Sequence, residues 1–314
     1  MENQTTVLVL IGLSDLPSLQ IPLFLVFLFI YLLTQTGNLL IFLLIINDSH
    51  LHTPMYFLLG TLACLDMGYS SVIVPKMIFD LLTEQKVISV SACITQIFFF
   101  LFFCTSEVSV LAVMSCDRYI AICRPLHYMQ IMHWDICVQL VSIILFIGLV
   151  CSVLNIAFLT NLTFCSSNVL QSFFCDLPEI LQVSCSDTFI NVLIMRLSSI
   201  VFGVGTFGVI FYPYITIINT VLKIQSKQMR SKAFSTCSSH LTVVFIFYTT
   251  VFFNYFKSFA NDHFTEDKVA SVFYAVLTPF LNPLIYSLRN QELKSSIGKA
   301  LQRLYIKTGL NTPK

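Results

Sequence analysis

Residues 21–46 read IPLFLVFLFIYLLTQTGNLLIFLLII, with no Asp, Glu, Lys or Arg. A helix of that length spans the roughly 30 Å hydrocarbon core of a bilayer. Moving outward, six more apolar runs follow: Met55–Leu82, Cys93–Cys123, Ile136–Leu159, Val192–Leu222, Phe234–Phe259 and Val269–Leu288. Short polar joints separate them, and one joint is long, Thr160–Asn191. Of 314 residues, 56% are hydrophobic and 11% charged, against about 25% charged in a soluble domain. Backbone groups in lipid must be bonded within their own segment or within a closed barrel. Runs this long favour helices, since barrel strands would be about ten alternating residues. The expected fold is an all-α membrane protein, a bundle of seven transmembrane helices. The net charge of +1 gives no reason to expect a nucleic-acid partner.

Lys and Arg set the orientation. With the N-terminus outside, the inner side holds twelve: Arg118, Arg124, Lys223, Lys227, Arg230, Lys232, Arg289, Lys294, Lys299, Arg303, Lys307 and Lys314. The outer side holds five: Lys76, Lys86, Arg196, Lys257 and Lys268. The chain thus reads as an outer tail (1–20), a helix bundle (21–290) and a cytoplasmic segment (291–314). In the last, Leu293, Ile297, Leu301 and Leu304 fall at helical spacing within Glu292–Lys307, an amphipathic helix along the inner leaflet. No basic stretch or cleavage site precedes Ile21, so the first span is expected to direct its own insertion. Asn3 and Asn161 open outward-facing glycosylation sequons. Four cysteines fall outside, Cys93, Cys165, Cys175 and Cys185; spacing leaves three pairings open. No His/Cys cluster suggests a metal, and no cofactor is expected beyond a cation discussed next.

Ionisable groups inside a bilayer are costly and functional by default. Asp66 and Glu107 lie deep in the second and third spans, with Asn38 and Asn282 at similar depth in the first and seventh. The expectation is one polar pocket in which a proton, waters or a cation relieves two carboxylates; the alternative is a static plug. Asp117 and Arg118 end the third span on the inner side. A carboxylate can hold the neighbouring guanidinium by a charge-assisted bond. Once freed, the arginine would reach Tyr214 or Tyr286. The bland alternative is a helix end snorkelling to water.

The segment CDRYIAIC around Asp117, Arg118 and Tyr119 resembles the Asp-Arg-Tyr signature of rhodopsin-like G-protein-coupled receptors, and Asn282-Pro283-Leu284-Ile285-Tyr286 resembles their seventh-span motif. LHTPMYFLL at Leu51–Leu59, KAFSTCSSHLTVV at Lys232–Val244 (which includes His240) and PFLNPLIYSLRN at Pro279–Asn290 resemble olfactory receptors, of the tetrapod-type class. The resemblance implies Cys93–Cys175 and Cys165–Cys185 bridges, a volatile ligand, a stimulatory olfactory-type G protein and cyclic AMP, and the plasma membrane of sensory cilia. Two positions depart from the pattern: Ser115-Cys116 replaces Ala-Tyr, and Pro213 precedes Tyr214 where Ser is usual.

Helical spacing aligns Phe100, Leu101, Cys104, Thr105 and Val108 on one stripe of the third span. Ser198, Ser199 and Phe202 on the fifth join them, with Tyr248, Val251, Phe252 and Tyr255 on the sixth and Val272 and Ala275 on the seventh. This mostly apolar lining suits a small neutral odorant held by packing and a few hydrogen bonds. Arg196, if inward-facing, would admit acidic odorants. A transporter or channel would need repeats or a polar pore, and an enzyme a nucleophile with a base; neither is evident.

Overall fold

The computed structural model describes residues 7–14, 16–160, 162–164, 168–223, 225–257, 271–289 and 291–308. Asn3, Asn161 and Cys165 lie outside the described residues, as do the side chains of Lys232, Val251, Phe252 and Tyr255. The main helices are α1 (Pro17–Asn47), α2 (Pro54–Asp80), α3 (Val90–Cys123), α4 (Tyr128–Ile131) and α5 (Trp134–Leu159). Then come α6 (Leu177–Gln182), α7 (Phe189–Ser199), α8 (Thr206–Leu222), α9 (Lys227–Lys257), α10 (Thr278–Arg289) and α11 (Gln291–Thr308). The seven apolar runs coincide with α1, α2, α3, α5, the α7–α8 stretch, α9 and the segment ending in α10. Among the described residues, five of these are long and apolar enough to cross a membrane by length and composition: α1, α2, α3, α5 and Phe189–Leu222.

Local chemistry starts the helices where the joints end. Pro17 and Pro54 open α1 and α2, where a missing N–H costs nothing. Ser89 caps α3, its Oγ accepting from the Ala92 amide at 3.2 Å. Two stretches are π-helical, Ile200–Gly205 between α7 and α8 and Phe273–Leu277 before α10. The fifth run, expected as one regular helix, is thus interrupted.

Prolines break three helices, and each break is clamped from a neighbour. A proline removes one intrahelical bond and crowds the carbonyl four residues back. Before Pro283, that carbonyl belongs to Pro279, and Asn38 Nδ2 of α1 donates to it at 3.2 Å. Before Pro213, Ser115 Oγ of α3 donates to the Ile210 carbonyl at 3.0 Å. Before Pro75, Gln96 Nε2 of α3 donates to the Val72 carbonyl at 2.9 Å.

The Cys93–Cys175 disulfide marks one end of the bundle. There the chain adds a small sheet absent from the sequence reading. Strand β1 (Val7–Leu10) lies between β2 (Val87–Ser89), antiparallel, and β3 (Val169–Leu170), parallel. Leu8 and Leu10 point inward and pack with Ile88, Ile97, Leu170 and the disulfide. Residues expected to be a tail are therefore partly a central strand. At the Arg118 end, α11 covers the expected amphipathic stretch. Leu293 is fully buried, Tyr56 Oη donates to Glu292 Oε2 at 2.7 Å, and Ser296 Oγ donates to Asp48 Oδ2 at 2.5 Å.

Candidate functional site

Three layers stack along the bundle. At the disulfide end the layer is aromatic. Phe100 of α3 lies 5.6 Å from the Tyr69 ring and 5.7 Å from Phe174, and Phe173 and Phe174 stand 5.1 Å apart. All four rings are buried. Leu101, Cys104, Val272 and Ala275 pack against this group, so five of the predicted lining residues come together. Tyr69, Phe173 and Phe174 were missed. The two phenylalanines sit in the long joint beside Cys175, and only the disulfide and the Cys175 amide bond to Gln96 Oε1 (2.9 Å) draw that joint into the bundle.

Other predicted lining residues face elsewhere. The Thr105 hydroxyl is turned to Cys151 Sγ of α5 at 4.0 Å, and Ser198 meets Asn155 of α5 at 3.4 Å. Ser199 bonds its own helix at the Met195 carbonyl, 2.9 Å. A hydroxyl in a helix finds the nearest uncovered acceptor, and side-chain spacing alone does not reveal it. Val108 belongs to the central apolar core, with Phe202 and Tyr248 packed at its edge. Tyr248 Oη reaches Thr206 Oγ1 at 2.6 Å, which ties α9 to α8. Arg196 makes contacts within the protein.

The middle layer is polar. Asn282 Nδ2 lies 3.0 Å from both Asp66 carboxylate oxygens and 3.3 Å from Glu107 Oε1. All three residues are buried. The expected fourth member, Asn38, stands apart: its amide is spent on the Thr34 and Pro279 carbonyls, at 3.0 and 3.2 Å. The acceptor left open by Pro283 draws the amide away from the carboxylates.

The third layer surrounds Arg118. Its Nη2 and Nε lie 2.5 and 3.0 Å from Asp117 Oδ2, and Tyr128 Oη donates to Asp117 Oδ1 at 2.8 Å. The Tyr128 phenol, just past the helix end, is pushed up by burial and then by the Asp117 carboxylate. Across the bundle, Tyr214 Oη meets His240 Nδ1 at 2.7 Å, and the buried Tyr286 hydroxyl makes no hydrogen bond. Tyr119 packs half-buried against the core, and Pro283 is buried one turn from Tyr286. The two departures from the family pattern meet here: the Ser115 hydroxyl serves the turn that Pro213 interrupts. Of the two predicted bridges, Cys93–Cys175 is present; Cys185 is disulfide-bonded, and Cys165 lies outside the described residues.

Comparison with known proteins gives these layers a family. The olfactory receptor profile matches residues 27–303. The chain is 48% identical over 313 residues to human olfactory receptor 5B12, covering 96% of each chain. It is 46% identical to mouse olfactory receptor 5AR1, over 96% of this chain and 97% of that one. Human olfactory receptor 5B21 is also 46% identical, over 97% and 99%. These relatives are receptors, not enzymes. The chain therefore belongs to the olfactory receptor family, the odorant-sensing seven-helix G-protein-coupled receptors of the membrane.

Proposed function

We propose that this receptor binds a small, mostly apolar volatile molecule against the aromatic layer and signals through a latch at Arg118. The observation that carries the reading is the Asp117–Arg118 pair facing two tyrosines of the opposite helices, one bonded to His240 and one unbonded. In the resting packing, Asp117 and Tyr128 hold the arginine. In the active packing, the inner end of α9, from Lys232 to His240, moves outward. Arg118 leaves Asp117, Tyr214 exchanges His240 for the guanidinium, and Tyr286 turns into the gap. A G-protein helix enters the opened cavity. Leu126, 89% exposed beside this end, offers it an apolar contact.

The ligand acts only through differential affinity for the two packings. Phe100, Leu101, Cys104, Val272 and Ala275 form the wall we favour for it, with Tyr248, Phe202, Val251, Phe252 and Tyr255 on the opposite side; Thr105, Val108, Ser198 and Ser199 support that wall from behind. Asp66, Glu107 and Asn282 form the relay between the layers. Two carboxyls on one amide need a shared proton or a small cation to coexist in low dielectric; a monovalent cation stabilising the resting state fits this need. Charge placement supports an outside N-terminus, with Asn3 and Asn161 open to glycosylation, and a cytosolic α11. We assign a stimulatory olfactory-type G protein, a rise in cyclic AMP and residence in the plasma membrane of sensory cilia.

Arg118→Ala tests the latch. Odorant-stimulated cyclic AMP is expected to vanish while surface expression stays largely intact. A normal response in that variant contradicts the reading.

A further inference from the structure

A groove of about 470 Å³ opens on the membrane-facing side of the bundle near the Arg118 end, walled by α1, α2 and the first residue of α5. It lies far from the aromatic layer and shares no residue with the latch. Its floor is Gly60, where the absent side chain leaves Phe42 and Ile45 as the back wall. Its sides are the rings of Phe57 and Trp134, set edge to face at 4.9 Å between centroids.

The polarity of the groove runs in one direction. Near the helix ends it holds His52, whose Nε2 bonds the Ile46 carbonyl at 3.1 Å and whose ring is exposed. Deeper, the Thr61 hydroxyl is already satisfied by the Phe57 carbonyl at 3.0 Å, so the wall from Phe57 to Cys64 presents apolar surface. That stretch rises about 10 Å along α2, within one leaflet of the bilayer. The volume falls inside the roughly 300–1,000 Å³ range of small-molecule sites.

The mouth is continuous with the lipid-facing surface of the protein, where Leu43, Ile46 and Val138 are exposed. Its occupant therefore comes from the membrane. A flexible acyl chain would lose conformational freedom on ordering in a defined slot, whereas a rigid ring system has little to lose. Flat aromatic walls favour flat fused rings, and a polar residue at the interfacial end favours a single hydroxyl. Trp134, the only tryptophan of the chain, is placed as interfacial tryptophans are, with its ring between water and hydrocarbon. We propose that this groove is a sterol site, with the sterol ring nucleus between Phe57 and Trp134 and its hydroxyl at His52. The inference rests on the chain being a membrane protein and not on the latch.

The test is photolabelling of the full-length protein, purified in sterol-free detergent, with a photoreactive clickable cholesterol analogue. The expected result is saturable labelling of peptides from α1, α2 and the start of α5, reduced at least fivefold by excess cholesterol and unchanged by excess saturated phosphatidylcholine. Gly60→Leu should lower the labelling at least fivefold by filling the floor, at unchanged yield of folded protein. Labelling confined to other peptides overturns the assignment, as does competition by phosphatidylcholine equal to that by cholesterol. If Gly60→Leu fails to fold, the competition on the wild-type chain decides alone.

Discussion

At the disulfide end, a covalent bond, a three-stranded sheet and four packed rings hold the same few elements together. At the Arg118 end, the ties are hydrogen bonds with alternatives at hand: Arg118 on Asp117, Tyr214 on His240, and Tyr286 on nothing. One end has a single well-packed solution. The other has at least two arrangements of similar polar satisfaction, because each phenol can trade one partner for another. A seven-helix receptor needs that asymmetry. A rigid end gives a ligand something to press against, and a bistable end converts small packing differences into a change of state.

The largest expected effect comes from breaking the rigid end. Cys93→Ser or Cys175→Ser opens a bridge between residues 82 apart, a loss of about 2–5 kcal/mol. Surface staining and thermal melting of the purified chain should show little folded receptor. Next is Leu8→Ala, which empties a fully buried position of β1 at about 2–5 kcal/mol. It should lower the melting temperature by several degrees, and an unchanged melting curve would show that the strand adds nothing to the rigid end.

At the Arg118 end the effects should fall on signalling more than on folding. Tyr214→Phe removes a hydroxyl used in both packings, worth about 1 kcal/mol in each. Basal and maximal cyclic AMP should both shift by a fewfold, with surface level unchanged. Ser115→Ala leaves the turn before Pro213 without its clamp, again about 1 kcal/mol. Paired with Pro213→Ser in a double-mutant cycle on basal activity, it should show coupling above about 0.5 kcal/mol; additivity would separate the two positions.

The smallest effect concerns α11. The hydrogen bond from Ser296, followed by the His50 amide, holds the Asp48 carboxyl below its ordinary range. A carboxyl depressed in the folded state contributes stability above its unfolded value, and that contribution fades as pH falls through the folded one. Ser296→Ala should therefore move the acid-induced loosening of α11 to slightly higher pH, read by hydrogen exchange.

Much of this was legible in the sequence. The spans follow from the length of apolar runs, and α11 from helical spacing. The Asp117–Arg118 contact was foreseen because adjacent opposite charges in a greasy segment have few other partners. What escaped depends on contacts between distant segments. Four residues, Val7–Leu10, form a strand only because β2 and β3 lie on either side, and nothing local signals a parallel partner some 160 residues away. Phe173 and Phe174 look like loop residues until the disulfide draws them inward. Asn38 reads as a member of the carboxylate pocket. Its amide is instead claimed by the carbonyl that Pro283 leaves open, a geometric consequence visible only once α1 and α10 are side by side. The three proline clamps obey one rule, yet the donor in each case comes from another helix, so the sequence shows the need without showing the answer.

The central claim is that a ligand at the rigid end changes the packing of the other. Spin labels at the exposed positions Met129 and Phe234 would report the spacing between the α4 segment and the inner part of α9 by pulsed electron resonance. With an activating odorant and G protein bound, the account predicts a longer distance than in the resting receptor. The same distance distribution in both conditions would contradict it.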